Sequence, residues 1–416
     1  MGATVARHRR VAPGERRVLG INLNVFVMSV TSFLTDISSE MTLTILPLFL
    51  SNVLGVKTPI IGLIEGIAES TASLLRVFSG WFSDKIGKRK TLTVMGYGLS
   101  TIAKPFLYFA NAWGIVLGVR FADRVGKGIR SAPRDALLAD SSLPQERGKN
   151  FGIHRAMDSA GAVVGLSAAA VVAFLLQQGA LDLSRATYQT LVLVGIIPAI
   201  CAVLILAGFV KEVQRAAPSG QRSVVAPSLA ELVTLKGFER SFKLFMFIVA
   251  LFTLGNSSDA FLILRAQNLG LNVVQIFAML ALFNVVYASI ATPAGVLSDK
   301  IGRRQVIVLG WAVYGLIYLG FAVASSAWQV WLLFVLYGIY YGFAEGVTRA
   351  FVADVVPAEK RGSAYGIYHT LVGASAFPAS FVAGWLWQAV APAAPFYLGA
   401  VLAGLASVLL LSLVKR

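Results

Sequence analysis

The sequence predicts an all-α integral membrane protein: twelve transmembrane helices in two pseudo-symmetric six-helix bundles around a central cavity. Three observations point there. Of 416 residues, 57% are hydrophobic and 13% charged, with a mean hydropathy of +0.74, which lies outside the usual range of soluble domains. Apolar runs of about 20 residues, enough to cross the hydrocarbon core, recur along the whole chain. The second half of the chain also echoes the first.

The runs fall near residues 22–50, 59–82, 91–110, 113–139, 151–177, 188–210, 244–268, 272–297, 306–325, 328–353, 364–388 and 394–414. Each is expected to be helical, because backbone donors and acceptors in lipid must find partners within their own segment and no alternating barrel strands occur. Arg7, Arg9, Arg10, Arg16 and Arg17 precede the first run in the manner of a signal peptide. That run is too long and carries Asp36 and Glu40, so it reads as an uncleaved first span. The implied organisation is a basic N-terminus over 1–21, a six-helix bundle over 22–210, a linker over 211–243 and a second bundle over 244–416.

Of the 36 Lys and Arg residues, 24 fall in the segments on the N-terminal side of the membrane and only Lys57 and Arg185 in the opposite gaps; ten lie within spans. This asymmetry predicts a multi-pass protein of the cell membrane with both termini cytoplasmic. It also accounts for the +16 net charge without nucleic acid. The single cysteine, Cys201, rules out an internal disulfide and a cysteine metal cluster. His8, His154 and His369 have neither metal-ligand nor nucleophile–base spacing, and Gly126-Lys127-Gly128 lacks the rest of a phosphate-binding loop. The expectation is therefore no cofactor, no metal and no enzyme, in a monomer whose partners are a small-molecule substrate, protons and the bilayer.

Gly80-Trp81-Phe82-Ser83-Asp84-Lys85-Ile86-Gly87-Lys88-Arg89 recurs 215 residues later as Gly295-Val296-Leu297-Ser298-Asp299-Lys300-Ile301-Gly302-Arg303-Arg304. Ala139-Asp140, Glu146, Arg147-Gly148 and Gly152-Ile153 are echoed about 214 residues on by Ala353-Asp354, Glu359, Arg361-Gly362 and Gly366-Ile367. A weaker echo relates Asp36-Ile37-Ser38-Ser39-Glu40 to Gly255-Asn256-Ser257-Ser258-Asp259. Parallel six-helix repeats about an axis along the membrane normal are an architecture of secondary transporters, in which one half rocks against the other.

The paired Gly-x-x-x-Asp-x-x-Gly-Arg/Lys-Arg/Lys loops resemble the signature of the major facilitator superfamily, across essentially the whole chain. Arg120-Phe121-Ala122-Asp123-Arg124-Val125-Gly126 is similar to that family's fourth-helix motif, with Arg124 standing where the motif has its first glycine. Gly161-x-x-x-Gly165 meets part of the exporter-type fifth-helix motif, without its proline. The resemblance implies that Asp84 and Asp299, with Arg147 and Arg361, form charge contacts that lock the inner side in one state.

Charges inside a membrane are costly and face a cavity or one another. At 100° per residue, Arg120, Asp123, Arg124, Lys127, Arg130, Arg134 and Asp135 fall within an arc of about 140° on the fourth span. Asp36 and Glu40 lie one turn apart on the first span, Glu65, Glu69 and Arg76 share a face of the second, and the fifth adds His154 and Asp158. These groups either neutralise one another in static pairs or bind substrate and protons. In the second reading Arg120, Arg124 and Lys127 face an anion. Glu65 and Glu69 are the leading proton carriers, with Asp36, Glu40 and Asp259 beside them.

The tenth span opposes these cations with Tyr337, Tyr340, Tyr341 and Glu345, and Asn284, Tyr287, Tyr368 and His369 are candidates to complete that wall. Such a cleft suits an aromatic or amphipathic anion. Lys104 and Arg265, near span ends, are expected to snorkel, and Trp113, Trp328 and Trp331 to anchor at the interface. The function expected is proton-coupled alternating-access transport of a small organic solute, anionic or amphipathic, with export ranked ahead of import. A multidrug exporter and an uncoupled facilitator are the alternatives.

Overall fold

The computed structural model describes residues 17, 18, 20–143, 145–177, 179–213, 235, 237–357 and 360–413, without the side chains of 84, 292, 294–299, 344–346, 349, 350, 353 and 362. Within these residues twelve helical spans follow one another: α1 Leu23–Thr42, α2 Thr58–Ile86, α3 Arg89–Ala103, α4 Trp113–Asp140, α5 Arg147–Gln177, α6 Arg185–Phe209, α7 Arg240–Gly255, α8 Val273–Ile301, α9 Arg303–Val323, α10 Ala327–Asp354, α11 Arg361–Ala389 and α12 Ala394–Leu413. Twelve such spans bring the start of α1 and the end of α12 to one side of the membrane, called here the terminal face. The expected linker, 211–243, lies mostly outside the described residues.

Local chemistry starts and stops these helices. The Asn22 side chain accepts from Asn24 N at 2.9 Å to open α1, and Ser184 accepts from Thr187 N at 3.2 Å to open α6. Ser326 and Gln329 form a reciprocal capping box at α10. The repeated glycines close the second helix of each half: Gly87 has φ +69° and Gly302 φ +100°, where a Cβ would be strained. Beyond each stands an ion pair within one bundle, Arg89 with Asp140 and Arg303 with Asp354. The glycines repeat at 215 residues and these ion pairs at 214, because Lys88 is an extra residue before α3 that has no counterpart before α9.

Two spans are not continuous. The first bends after Thr42 through Leu46–Leu48 into a π-helical turn, Phe49–Val53. The seventh was expected as one helix over 244–268, but it unwinds over 256–259 before Ala260–Asn268 resumes. The echo between 36–40 and 255–259 therefore holds in sequence only, since the first copy is helical throughout and the second is unwound after Gly255.

In the first bundle α1 packs on α5 and α6, and α4 on α2 and α3; in the second, α9 packs on α10 and α12, α8 on α10, and α7 on α11 and α12. The bundles meet along α2–α11 and α5–α8. Side chains such as Phe174, Leu204 and Val408 remain exposed, as a lipid-facing belt requires. Among the described residues, eight helical segments are long and apolar enough to cross a membrane. Helices α2, α3 and α4 are not among them, and these carry much of the buried charge.

Small residues allow the closest approaches. A Cβ on Gly161 would stand 2.4 Å from Phe33 O of α1, and one on Gly62 would stand 2.2 Å from Ser380 O of α11. The Gly161-x-x-x-Gly165 pair thus serves α1–α5 packing. We expect Gly161→Val to lower unfolding free energy by about 1–3 kcal/mol through overpacking, measured by denaturant unfolding in detergent. Unchanged stability would refute this contact.

Candidate functional site

The cationic stripe predicted on α4 faces a partly open cavity of about 400 Å³. Arg120, Arg124, Lys127, Arg130, Arg134 and Asp135 line it, joined by Asp36 and Glu40 from α1, Arg76 from α2, Tyr97 from α3, and Arg155 and Asp158 from α5. Helical spacing of three and four residues keeps these α4 side chains on one side over four turns. Asp123, assigned to the same arc, is buried outside this lining.

Several charges are paired. Arg120 grips Glu65 with two parallel bonds, Nε to Oε1 at 3.2 Å and Nη2 to Oε2 at 2.6 Å, and both side chains are buried. Arg124 meets Glu69 at 3.0 Å, where the Glu69 side chain is 43% exposed. Arg130 donates to Ser100 Oγ at 2.9 Å and lies 4.2 Å over the Tyr97 ring. Arg134 pairs with its neighbour Asp135 at 2.9 Å, and Arg155 donates to the Tyr287 hydroxyl across the α5–α8 seam. Among the described residues, the side chains of Lys127 and Asp36 make no hydrogen bond or salt bridge, and that of Glu40 only accepts from Thr44 Oγ1 at 2.6 Å.

The second bundle contributes a smaller cavity of about 160 Å³, lined by Phe252, Asn256, Trp311, Tyr340, Tyr341 and Tyr368. Tyr337 and Asn284 line neither of these cavities. The Tyr337 hydroxyl donates to Asp259 Oδ1 at 2.8 Å, and Asn284 Nδ2 donates to Leu280 O at 3.0 Å. The Tyr368 and His369 rings are 5.3 Å apart. The Glu345 side chain lies outside the described residues.

Asp84 and Asp299 fall in the last turns of α2 and α8 rather than in loops, and their side chains also lie outside the described residues. Arg147 and Arg361 begin α5 and α11, and both are exposed. The snorkelling expected of two cations does not occur. Lys104 is 1% exposed and donates to Ser38 Oγ at 2.8 Å and Ser39 Oγ at 3.0 Å. Arg265 donates to the carbonyls of Phe321 at 3.1 Å and Ala324 at 2.9 Å, where α9 ends. Helix-end carbonyls and serine hydroxyls on neighbouring spans satisfy these donors instead.

Sequence reading missed the polar links between bundles. On the face opposite the termini, Asn52 and Gln267 exchange hydrogen bonds at 3.1 and 2.9 Å, and Gln267 also donates to Leu181 O at 2.9 Å. Deeper, Ser258 in the unwound turn donates to Glu65 Oε2 at 3.5 Å. Neither amide stands in a motif. The one available signal was the polar run 256–259 interrupting an apolar span.

Removing one partner of a buried pair leaves an uncompensated charge, whereas replacing both need not destabilise. Glu65→Leu should therefore lower stability by about 3–5 kcal/mol, and Glu65→Leu with Arg120→Met should recover most of the loss. Denaturant unfolding of both variants checks this; an equal loss in the single and double variants would refute the pairing.

The family profile of the Major Facilitator Superfamily matches residues 28–264 and 244–416. An uncharacterized MFS-type transporter of Methanocaldococcus jannaschii is 37% identical over 397 residues, covering 94% of this chain and 95% of that protein. A multi-drug resistance efflux pump, PmrA of Streptococcus pneumoniae, is 29% identical over 160 residues, 38% of this chain and 40% of the pump. The crystal structure of a mutant of the nucleoside transporter NupG superposes with a TM-score of 0.79 at 12% identity, covering 94% of this chain and 100% of that one, and so shares the fold. With both of its halves matched, and with these helices in this order around a charged cavity, the chain belongs to the major facilitator superfamily of membrane transporters.

Proposed function

We propose that this transporter is a proton-coupled carrier of a small organic solute, an anionic or amphipathic metabolite, that works by alternating access with solute and proton moving together. The observation carrying this reading is the cavity lining: seven cationic side chains, Arg76, Arg120, Arg124, Lys127, Arg130, Arg134 and Arg155, against the four carboxylates Asp36, Glu40, Asp135 and Asp158. Arg guanidinium groups suit bidentate binding of oxyanions and do not release their protons. Lys127 offers an ammonium with no salt bridge among the described residues.

Coupling follows from competition at the Arg124–Glu69 pair. An anion that engages Arg124 and Lys127 withdraws a counter-charge from Glu69, which then takes up a proton; leaving, the anion restores the pair and expels it. Glu65 sits deeper and reports on the second bundle through Ser258, while Asp36, Glu40 and Asp259 supply further carboxylates. With the termini in the cytoplasm of the cell membrane, the Asn52–Gln267 link is an outer closure, and Asp84, Arg147, Asp299 and Arg361 form the inner lock of the alternate state. The carrier acts as a monomer.

A multidrug exporter is the second reading, supported by the similarity to the pneumococcal pump over part of the chain. The reading is tested in proteoliposomes. Arg124→Gln with Lys127→Gln should abolish saturable counterflow of organic anions in a folded protein, and unchanged affinity would reject the site. Glu65→Gln with Glu69→Gln should remove pH-driven accumulation, and intact accumulation would reject those carriers. Uptake of lipophilic cations in place of anions would favour the second reading.

A further inference from the structure

Resting on the reading of this cavity as the solute site, we infer that the solute is zwitterionic, its anionic group held by the Lys127 side of α4 and its cationic group by Asp36 and Glu40 of α1. The large cavity presents two walls of opposite charge. One is α4, packed on α2 and α3; the other is α1, packed on α5 and α6. On the first wall Glu65 and Glu69 already occupy Arg120 and Arg124. Arg130 is committed to Ser100 and Tyr97 and Arg134 to Asp135, and Arg76 of α2 also lines this side; Arg155, on α5 beside the second wall, donates to Tyr287. Lys127 makes no salt bridge.

On the second wall the Asp36 side chain makes no hydrogen bond or salt bridge among the described residues, and the Glu40 side chain only accepts from Thr44. Asp158 lies 3.9 Å from His154 and leaves its Oδ1 without a hydrogen bond. Charges of both signs therefore share one cavity, more than a salt-bridge length apart.

An unpaired charge in a low-dielectric site is costly, and a ligand that pairs it recovers the cost. A simple anion would pair with Lys127 but bring a negative charge near Asp36 and Glu40. A simple cation would pair with the carboxylates and confront the α4 stripe. A molecule carrying both groups satisfies both walls in one binding event and is disfavoured by neither, which is how repulsive elements set specificity.

The test is binding to the purified full-length protein, read by intrinsic fluorescence and thermal shift. A cavity near 400 Å³ is at the small end for ligand pockets, so the probes are chains of roughly four to eight carbons: ω-amino acids, alkanoates and primary alkylamines of matched length. At the best length the ω-amino acid should bind about tenfold or more tightly than the matched alkanoate, and Asp36→Asn with Glu40→Gln should erase that preference.

Alkanoates binding as tightly at every length would overturn the zwitterion and leave the anion reading standing. Alkylamines binding best would overturn both. A preference that survives the Asp36→Asn, Glu40→Gln variant would overturn the assignment to α1, as would an absence of binding by any ω-amino acid.

Discussion

The α4 stripe sets the constraint on which the rest of the structure depends. A cation at the centre of a membrane helix costs roughly 2.5–3.5 kcal/mol on insertion scales, and this helix brings Arg120, Arg124, Lys127 and Arg130 there together. Such a helix exists only if other spans supply carboxylates and hydroxyls at matching depth. Glu65 and Glu69 of α2 and Ser100 of α3 meet that need, so α4 sits against α2 and α3 rather than lipid. The apolar helices then complete the outer surface.

The same economy of partners governs the seams. The bundles contact one another along α2–α11 through glycines and hydroxyls, Thr58 Oγ1 donating to Gly384 O at 3.0 Å and Ser70 Oγ to Gly373 O at 2.6 Å, and along α5–α8 through Arg155 and Tyr287. Small side chains and single hydrogen bonds of modest worth hold helices together in membranes without an apolar driving force. By contrast, the ion pairs on the terminal face, Arg89–Asp140 and Arg303–Asp354, tie elements inside a bundle and help keep each half rigid.

Between these regimes lies the unwound turn of the seventh span. It frees Asn256, Ser257, Ser258 and Asp259 from helical bonding and sets them between the two chemistries. Ser258 reaches Glu65 of the charged bundle, and Asp259 accepts from Tyr337 of the aromatic one. Interrupted helices with polar backbone and side chains at membrane depth are tolerated where protein or a cavity surrounds them. Glu65 is thereby linked to the second bundle through one hydroxyl.

The sequence by itself determined the number of spans, their order, the two-fold repeat and the face of α4 that carries charge. These depend on hydropathy and helical period, which are properties of consecutive residues. Gly87 and Gly302 were likewise visible as a repeat, because a left-handed backbone demands the same residue twice. Tertiary structure alone decided which charges are paired. Lys104 turns to the serines of α1, Arg265 caps α9, Asp123 leaves the cavity, and Asn52 finds Gln267 from 215 positions away. In a low-dielectric interior the nearest compensating partner in space prevails, and distance along the chain carries no record of it.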